Sequence, residues 1–85
     1  MNYQTYILKS KKDNGYYVGM TSNLVKRLAY HNTGKVRSTK YRIPFIVIYS
    51  ESYESRIAAR YREKYLKSYA GSKEKLTIIE NCGVV

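Results

Sequence analysis

The chain has 85 residues, with 16 Lys and Arg against 6 Asp and Glu and a formal net charge of +10. That length fits one small domain and no second, and that charge makes a polyanion, nucleic acid first, the expected partner. Spanning a membrane is excluded, because the runs Phe45-Ile46-Val47-Ile48 and Leu76-Thr77-Ile78-Ile79 are too short for it.

The N-terminal apolar run breaks at Lys9, without a signal-peptide pattern, so a soluble cytoplasmic protein is expected. Cys82 is the only cysteine, which leaves no partner for a disulfide or a zinc site and reads as a passive thiol. Eleven tyrosines, one Phe and no Trp suit base stacking, and they suit strand packing equally well.

Tyr3 to Lys9 and Gly15 to Met20 are β-prone runs, and Lys11-Lys12-Asp13-Asn14-Gly15 between them is a strong turn signal. A two-residue turn at Asn14-Gly15 pairs positions whose numbers sum to an odd value. Tyr6, Leu8, Tyr17 and Gly19 then share one face, and Ile7, Tyr16 and Val18 the other. The stretch TSNLVKRLAYHNTG opens on capping residues and closes on Asn-Thr-Gly, which predicts a helix of about three turns. Leu24, Val25 and Leu28 are its expected apolar stripe, with Arg27 and His31 aligned beside it.

GKVRSTKYR has no periodicity and reads as a basic loop. FIVIY after Pro44 reads as a strand buried on both sides and central in the sheet. A second helix is expected from Glu54 to Tyr69, ended by Ala70-Gly71. It carries two stripes, Ala59-Glu63-Leu66-Ala70 and Ile57-Tyr61-Tyr65, and the wheel does not decide between them. Lys73 to Glu80 is expected as a short helix or strand carrying Leu76 and Ile79.

Few side chains here suit chemistry. Glu63 is the one carboxylate in mid-helix among small and apolar neighbours, either paired with a Lys or Arg or holding a cation. Arg27 offers a fork matched to phosphate or is simply solvated. His31 suits proton transfer or partners the helix dipole. Tyr6 and Tyr17 are packing aromatics or site residues. No Gly-rich phosphate loop, Cys/His cluster or serine nucleophile motif is present.

In order, these pieces resemble the GIY-YIG nucleases: TYIL with Tyr6, YVG at 17–19, NLVKRLAYHNTG with Arg27 and His31, and AARYREKYLK with Glu63. The likeness runs from Tyr3 to about Ile79 and is nearest the small single-domain bacterial members. Gln4-Thr5 stand where the family has Gly-Ile, and Met20 stands where a lysine often follows. Asn81 weakly matches a late family asparagine.

The resemblance implies an α+β fold, a three-stranded antiparallel sheet flanked by helices, and a DNA endonuclease, structure-selective in repair or recombination. Its implied site has Tyr17 as base or water orienter, Tyr6 as supporting partner, Arg27 as phosphate clamp and His31 assisting proton transfer. Glu63 is then the ligand for Mg²⁺ (or Mn²⁺). A phenol of pKa about 10 is a poor base at neutral pH, so such a site needs cations close by. Lys35, Arg37, Ser38, Thr39, Lys40 and Arg42 are expected on the nucleic-acid backbone, DNA rather than RNA. The alternative is a catalytically weak DNA- or RNA-binding module of the same fold, and a third is a Tyr-rich protein-interaction domain.

Overall fold

The structure, a computed structural model, describes residues 2–81. Strands β1 (Tyr3–Ser10) and β2 (Tyr16–Thr21) form the expected hairpin. Its turn is residues 11–14 rather than Asn14-Gly15. The Ser10 N–H donates to the Gly15 carbonyl at 2.9 Å and the Asn14 N–H to the Ser10 carbonyl at 3.0 Å. Asn14 takes the left-handed conformation, φ 61°, which Asn tolerates better than most residues. Both turns give an odd register sum, so the facing is as the sequence indicates: Tyr6 lies opposite Gly19 and Leu8 opposite Tyr17.

β3 (Phe45–Tyr53) pairs with β1, giving the order β2-β1-β3, all antiparallel. The central strand is therefore β1, and the apolar run FIVIY lies on an edge. A register shift between Ile7 and Leu8 explains why that run reads as buried on both sides. Below the shift Leu8 faces Val47, and above it Ile7 faces Tyr49, so odd-numbered β3 residues serve one face of the sheet and then the other. Phe45 and Val47 join Tyr6 and Leu8, whereas Tyr49 joins Ile7 and Val18.

The first face is covered by α1 (Leu24–Asn32), capped by Asn23, whose side chain accepts from the Lys26 N–H at 3.0 Å. Leu24 and Leu28 pack against Tyr6, Leu8 and Phe45. Val25, expected on this stripe, is 82 % exposed. The next helical place after Leu24 and Leu28 on the buried side belongs to His31, which is fully buried.

The second face is covered by α2 (Arg56–Lys67) and α3 (Tyr69–Asn81). Ala59 and Leu66 are buried, while Ile57 and Tyr61 are exposed, so the Ala59-Glu63-Leu66 stripe is the one turned inward. α2 stops at Lys67 because Ser68 is extended, and Ala70 and Gly71 belong to α3. Leu76 is largely exposed and Ile79 is buried. Cys82 lies outside the described residues.

A carboxylate ties β3 to the helix layer. Glu51 accepts from the hydroxyls of Tyr49 and Tyr53, each at 2.6 Å, and from Arg62 Nε and Nη2 at 2.9 and 3.1 Å. Arg62 also pairs with Glu74 of α3. Burial works against ionisation of Glu51, but Arg62 and the two hydroxyls outweigh it and hold the carboxyl below its ordinary pKa.

Gly71 sets how closely α3 follows α2, since a Cβ there would collide with the Tyr65 carbonyl. Gly71→Ala is expected to lower unfolding stability by about 1 to 3 kcal/mol through overpacking. Ala70→Ser on the exposed side should stay within about 0.5 kcal/mol of the parent, both read from urea unfolding midpoints.

Candidate active site

Tyr6 stands on the central strand with its ring over Gly19. A Cβ at Gly19 would lie 2.5 Å from the Tyr6 hydroxyl and 2.6 Å from Cζ. Tyr6 is 1 % exposed, so its ring has no room to yield. The bare position in YVG thus accommodates the tyrosine of the neighbouring strand.

The Tyr6 hydroxyl meets His31 Nε2 at 3.1 Å, and His31 Nδ1 meets Thr39 Oγ1 at 2.9 Å. Thr39 Oγ1 in turn directs its proton at the Val36 carbonyl, 3.4 Å away. A neutral imidazole donates from one ring nitrogen and accepts at the other, so it can satisfy both hydroxyls, one as donor and one as acceptor. All three side chains are buried. Burial first, then the charge of Arg27, lowers the His31 pKa to about 4, so the imidazole is neutral at pH 7. Burial also raises the Tyr6 pKa against the pull of Arg27, keeping that phenol protonated.

Tyr17 is half-buried beside this row, its ring centroid 5.0 Å from that of His31 in an edge-on arrangement. The Arg27 guanidinium lies close enough to both phenols to raise its own pKa, first through Tyr6. Its buried Nε has no partner among the described residues, and the guanidinium carbon lies 5.7 Å from the Tyr30 ring centroid. Arg27 also borders an open hollow of about 310 Å³ with Thr21, Ser22, Asn23, Lys26 and Tyr30.

From the opposite face of the sheet, Glu63 is near enough for its charge to act on Tyr6. Its Oε2 accepts from Lys67 Nζ at 2.9 Å, and that ammonium lies 5.4 Å from the Tyr17 ring centroid, within cation–π range. Tyr6, Tyr17, Arg27, His31 and Glu63, dispersed over the sequence, thus converge. Lys67 is the member that sequence reasoning missed, although its i,i+4 spacing from Glu63 was there to be read.

The basic loop divides. Lys35, Arg37, Ser38 and Lys40 are exposed. Thr39 is instead fully buried against His31, so its hydroxyl does not face the surface as expected. Arg42 is committed to Asp13 at 2.7 Å, and this contact, ahead of the Gly15 N–H, lowers the Asp13 pKa to about 2.

No group of three or more His, Cys, Asp or Glu that could hold a metal occurs among the described residues. A hard cation that keeps most of its waters needs only one or two carboxylates, and Glu63, with a half-buried carboxylate and one oxygen on Lys67, fits that sparse donor set.

A buried tyrosine on the central strand, a second on the edge strand and an arginine on the first helix stand together here, in the order of the motifs of a nuclease-type domain that the family comparison identifies. Residues 2–76 match the family model described as the GIY-YIG catalytic domain, and the chain belongs to that family. Its relatives are bacterial UPF0213 proteins. It is 41 % identical to one from Staphylococcus haemolyticus, over 88 % of this chain and 90 % of the relative. It is 39 % identical to YazA of Bacillus subtilis, over 93 % and 80 % of the two. The solution NMR structure of a UPF0213 protein from Bacillus halodurans superposes with a TM-score of 0.59 at 28 % identity, covering 98 % of this chain and 88 % of that one.

Two outcomes follow from the buried row. A histidine whose folded pKa of about 4 lies below its unfolded value near 6.5 adds stability that is full above the unfolded pKa and is lost as pH falls toward 4. Unfolding free energy should therefore drop by about 2 kcal/mol between pH 7 and pH 5; His31→Gln, which takes up no proton there, should flatten that window. Gly19→Ala should displace Tyr6 from His31 at a cost of about 1 to 3 kcal/mol, seen as loss of the His31–Tyr6 contact in side-chain NMR spectra.

Proposed function

We propose that the chain is a divalent-metal-dependent endonuclease that hydrolyses DNA phosphodiester bonds by attack of water. The observation that carries this reading is Arg27, whose guanidinium stands beside two phenols and whose buried Nε has no partner among the described residues. A phosphate oxygen is the natural acceptor for that fork.

In this reading Arg27 clamps the phosphate, and Tyr17, the more accessible phenol, orients the attacking water or takes its proton. Tyr6 stays protonated and acts as a donor, held by the neutral imidazole of His31, which Thr39 fixes from behind. Glu63 would hold Mg²⁺ or Mn²⁺, which when bound supplies positive charge against the phosphate. Lys67 competes for the same carboxylate and places a cation beside Tyr17. Lys35, Arg37, Ser38 and Lys40 supply backbone contacts to the DNA, with Arg42 held back by Asp13.

One observation favours a weaker reading, a nucleic-acid-binding module without turnover: the Glu63 carboxylate is already paired with Lys67. Nicking of supercoiled DNA separates the two. With Mg²⁺ the parent is expected to nick, and Glu63→Ala and Tyr17→Phe are each expected to lose about 100-fold or more. Parent-like cutting by both variants overturns the site. Salt-steep binding with no metal-dependent product establishes the module instead.

A further inference from the structure

Apart from Lys67, the outward side of α2 is used by neither the core nor the catalytic cluster. Going round the helix from Glu63, its period places Arg56, Lys67, Arg60 and Lys64 in succession, and then Ile57 and Tyr61. The four cations are exposed. Ile57 is 81 % and Tyr61 75 % exposed, unusual for large apolar side chains standing together on one helix. They form a ridge between two open hollows. One, of about 380 Å³, is lined by Arg56, Arg60 and Lys64 with the ridge itself. The other, of about 630 Å³, is lined by Tyr53, Tyr65, Arg62 and Glu74 with the same ridge.

We propose that this face of α2 binds an unpaired nucleic-acid strand leaving the catalytic cluster, its phosphates on Arg56, Arg60 and Lys64 and a base stacked on Tyr61. The direction of the strand rests on the nuclease reading above; the surface itself rests on charge and exposure. The band is continuous with the cluster through Lys67, which touches both Glu63 and the Tyr17 ring. Arg56, Arg60 and Lys64 recur about 6 Å apart along the helix axis, a step comparable with that between successive phosphates of one strand.

Charge decides among occupants. Among the described residues the hollow on the basic side has no carboxylate in its lining, whereas Glu74, on the far side of the ridge, is paired with Arg62. A second copy docked here would bring two cation bands together. A membrane is offered a single aliphatic side chain, with tyrosines whose faces suit bases as well.

The test is fluorescence anisotropy of the full chain with a labelled single-stranded DNA, in EDTA so that nothing is cut. Tyr61→Ala should weaken binding roughly 5- to 150-fold, the range of one base–aromatic stack, while Tyr61→Phe stays within about twofold. Arg56→Gln with Arg60→Gln should reduce the slope of log affinity against log salt by about 1.4. A duplex of the same length should be insensitive to Tyr61→Ala.

Single-strand affinity unchanged in Tyr61→Ala overturns the proposal. So does a Tyr61→Ala effect confined to binding of anionic phosphatidylserine vesicles or to self-association. The nuclease reading stands or falls separately: Tyr61-dependent binding without any cleavage keeps the surface and removes the enzyme, and intact cleavage with Tyr61-independent binding does the reverse.

Discussion

The buried hydroxyl of Tyr6 is the point on which the arrangement turns. A phenol with 1 % exposure must find a polar partner inside the protein. It finds His31, and meeting that need fixes three separate segments. Gly19 must be bare so that the ring can lie across β2, α1 must present its third buried position as an imidazole, and the loop after α1 must return Thr39 to the ring's other nitrogen. The histidine in this row is neutral at pH 7, the form that burial favours. A scaffold residue and a residue of the candidate site are here the same side chain.

α2 works differently, because its sides face different surroundings. Ala59 and Leu66 dock on the sheet, Glu63 beside them pairs with Lys67, whose ammonium lies at the Tyr17 ring, and Arg62 grips Glu51 and Glu74 to lock β3 and α3 in place. The Glu51 cluster holds the helix at a fixed angle to the sheet without contributing to the tyrosine site. What remains of the helix surface is cationic and aromatic. On a +10 chain this open cationic surface extends the positive field along the helix, so the strand proposed above would be held along a path rather than at a point.

Much of the fold was legible because it depends on local chemistry. The hairpin, the capped first helix and the parity that puts Tyr6 and Tyr17 together all follow from turn residues, caps and the two-residue period of strands. Errors arose where tertiary context overrode pattern. FIVIY was expected in the centre of the sheet because it is continuously apolar; it lies on an edge and is covered on both faces through a register shift that no periodicity reveals. Val25 lost its place on the buried stripe to a histidine, which gives the buried Tyr6 hydroxyl a polar partner there. The place of Thr39 in the core, rather than on the DNA-facing loop, has the same cause.

By itself the sequence determined which residue types were available, their order and the faces they share within each element, because those depend on spacing of a few residues. It left open which stripe of the second helix turns inward, whether Glu63 stands alone or with Lys67, and what Gly19 is for. Tertiary structure decided these, because each depends on side chains far apart in sequence competing for one enclosed volume. The bare position at Gly19 is space for the ring of Tyr6, and only the packed sheet could show it.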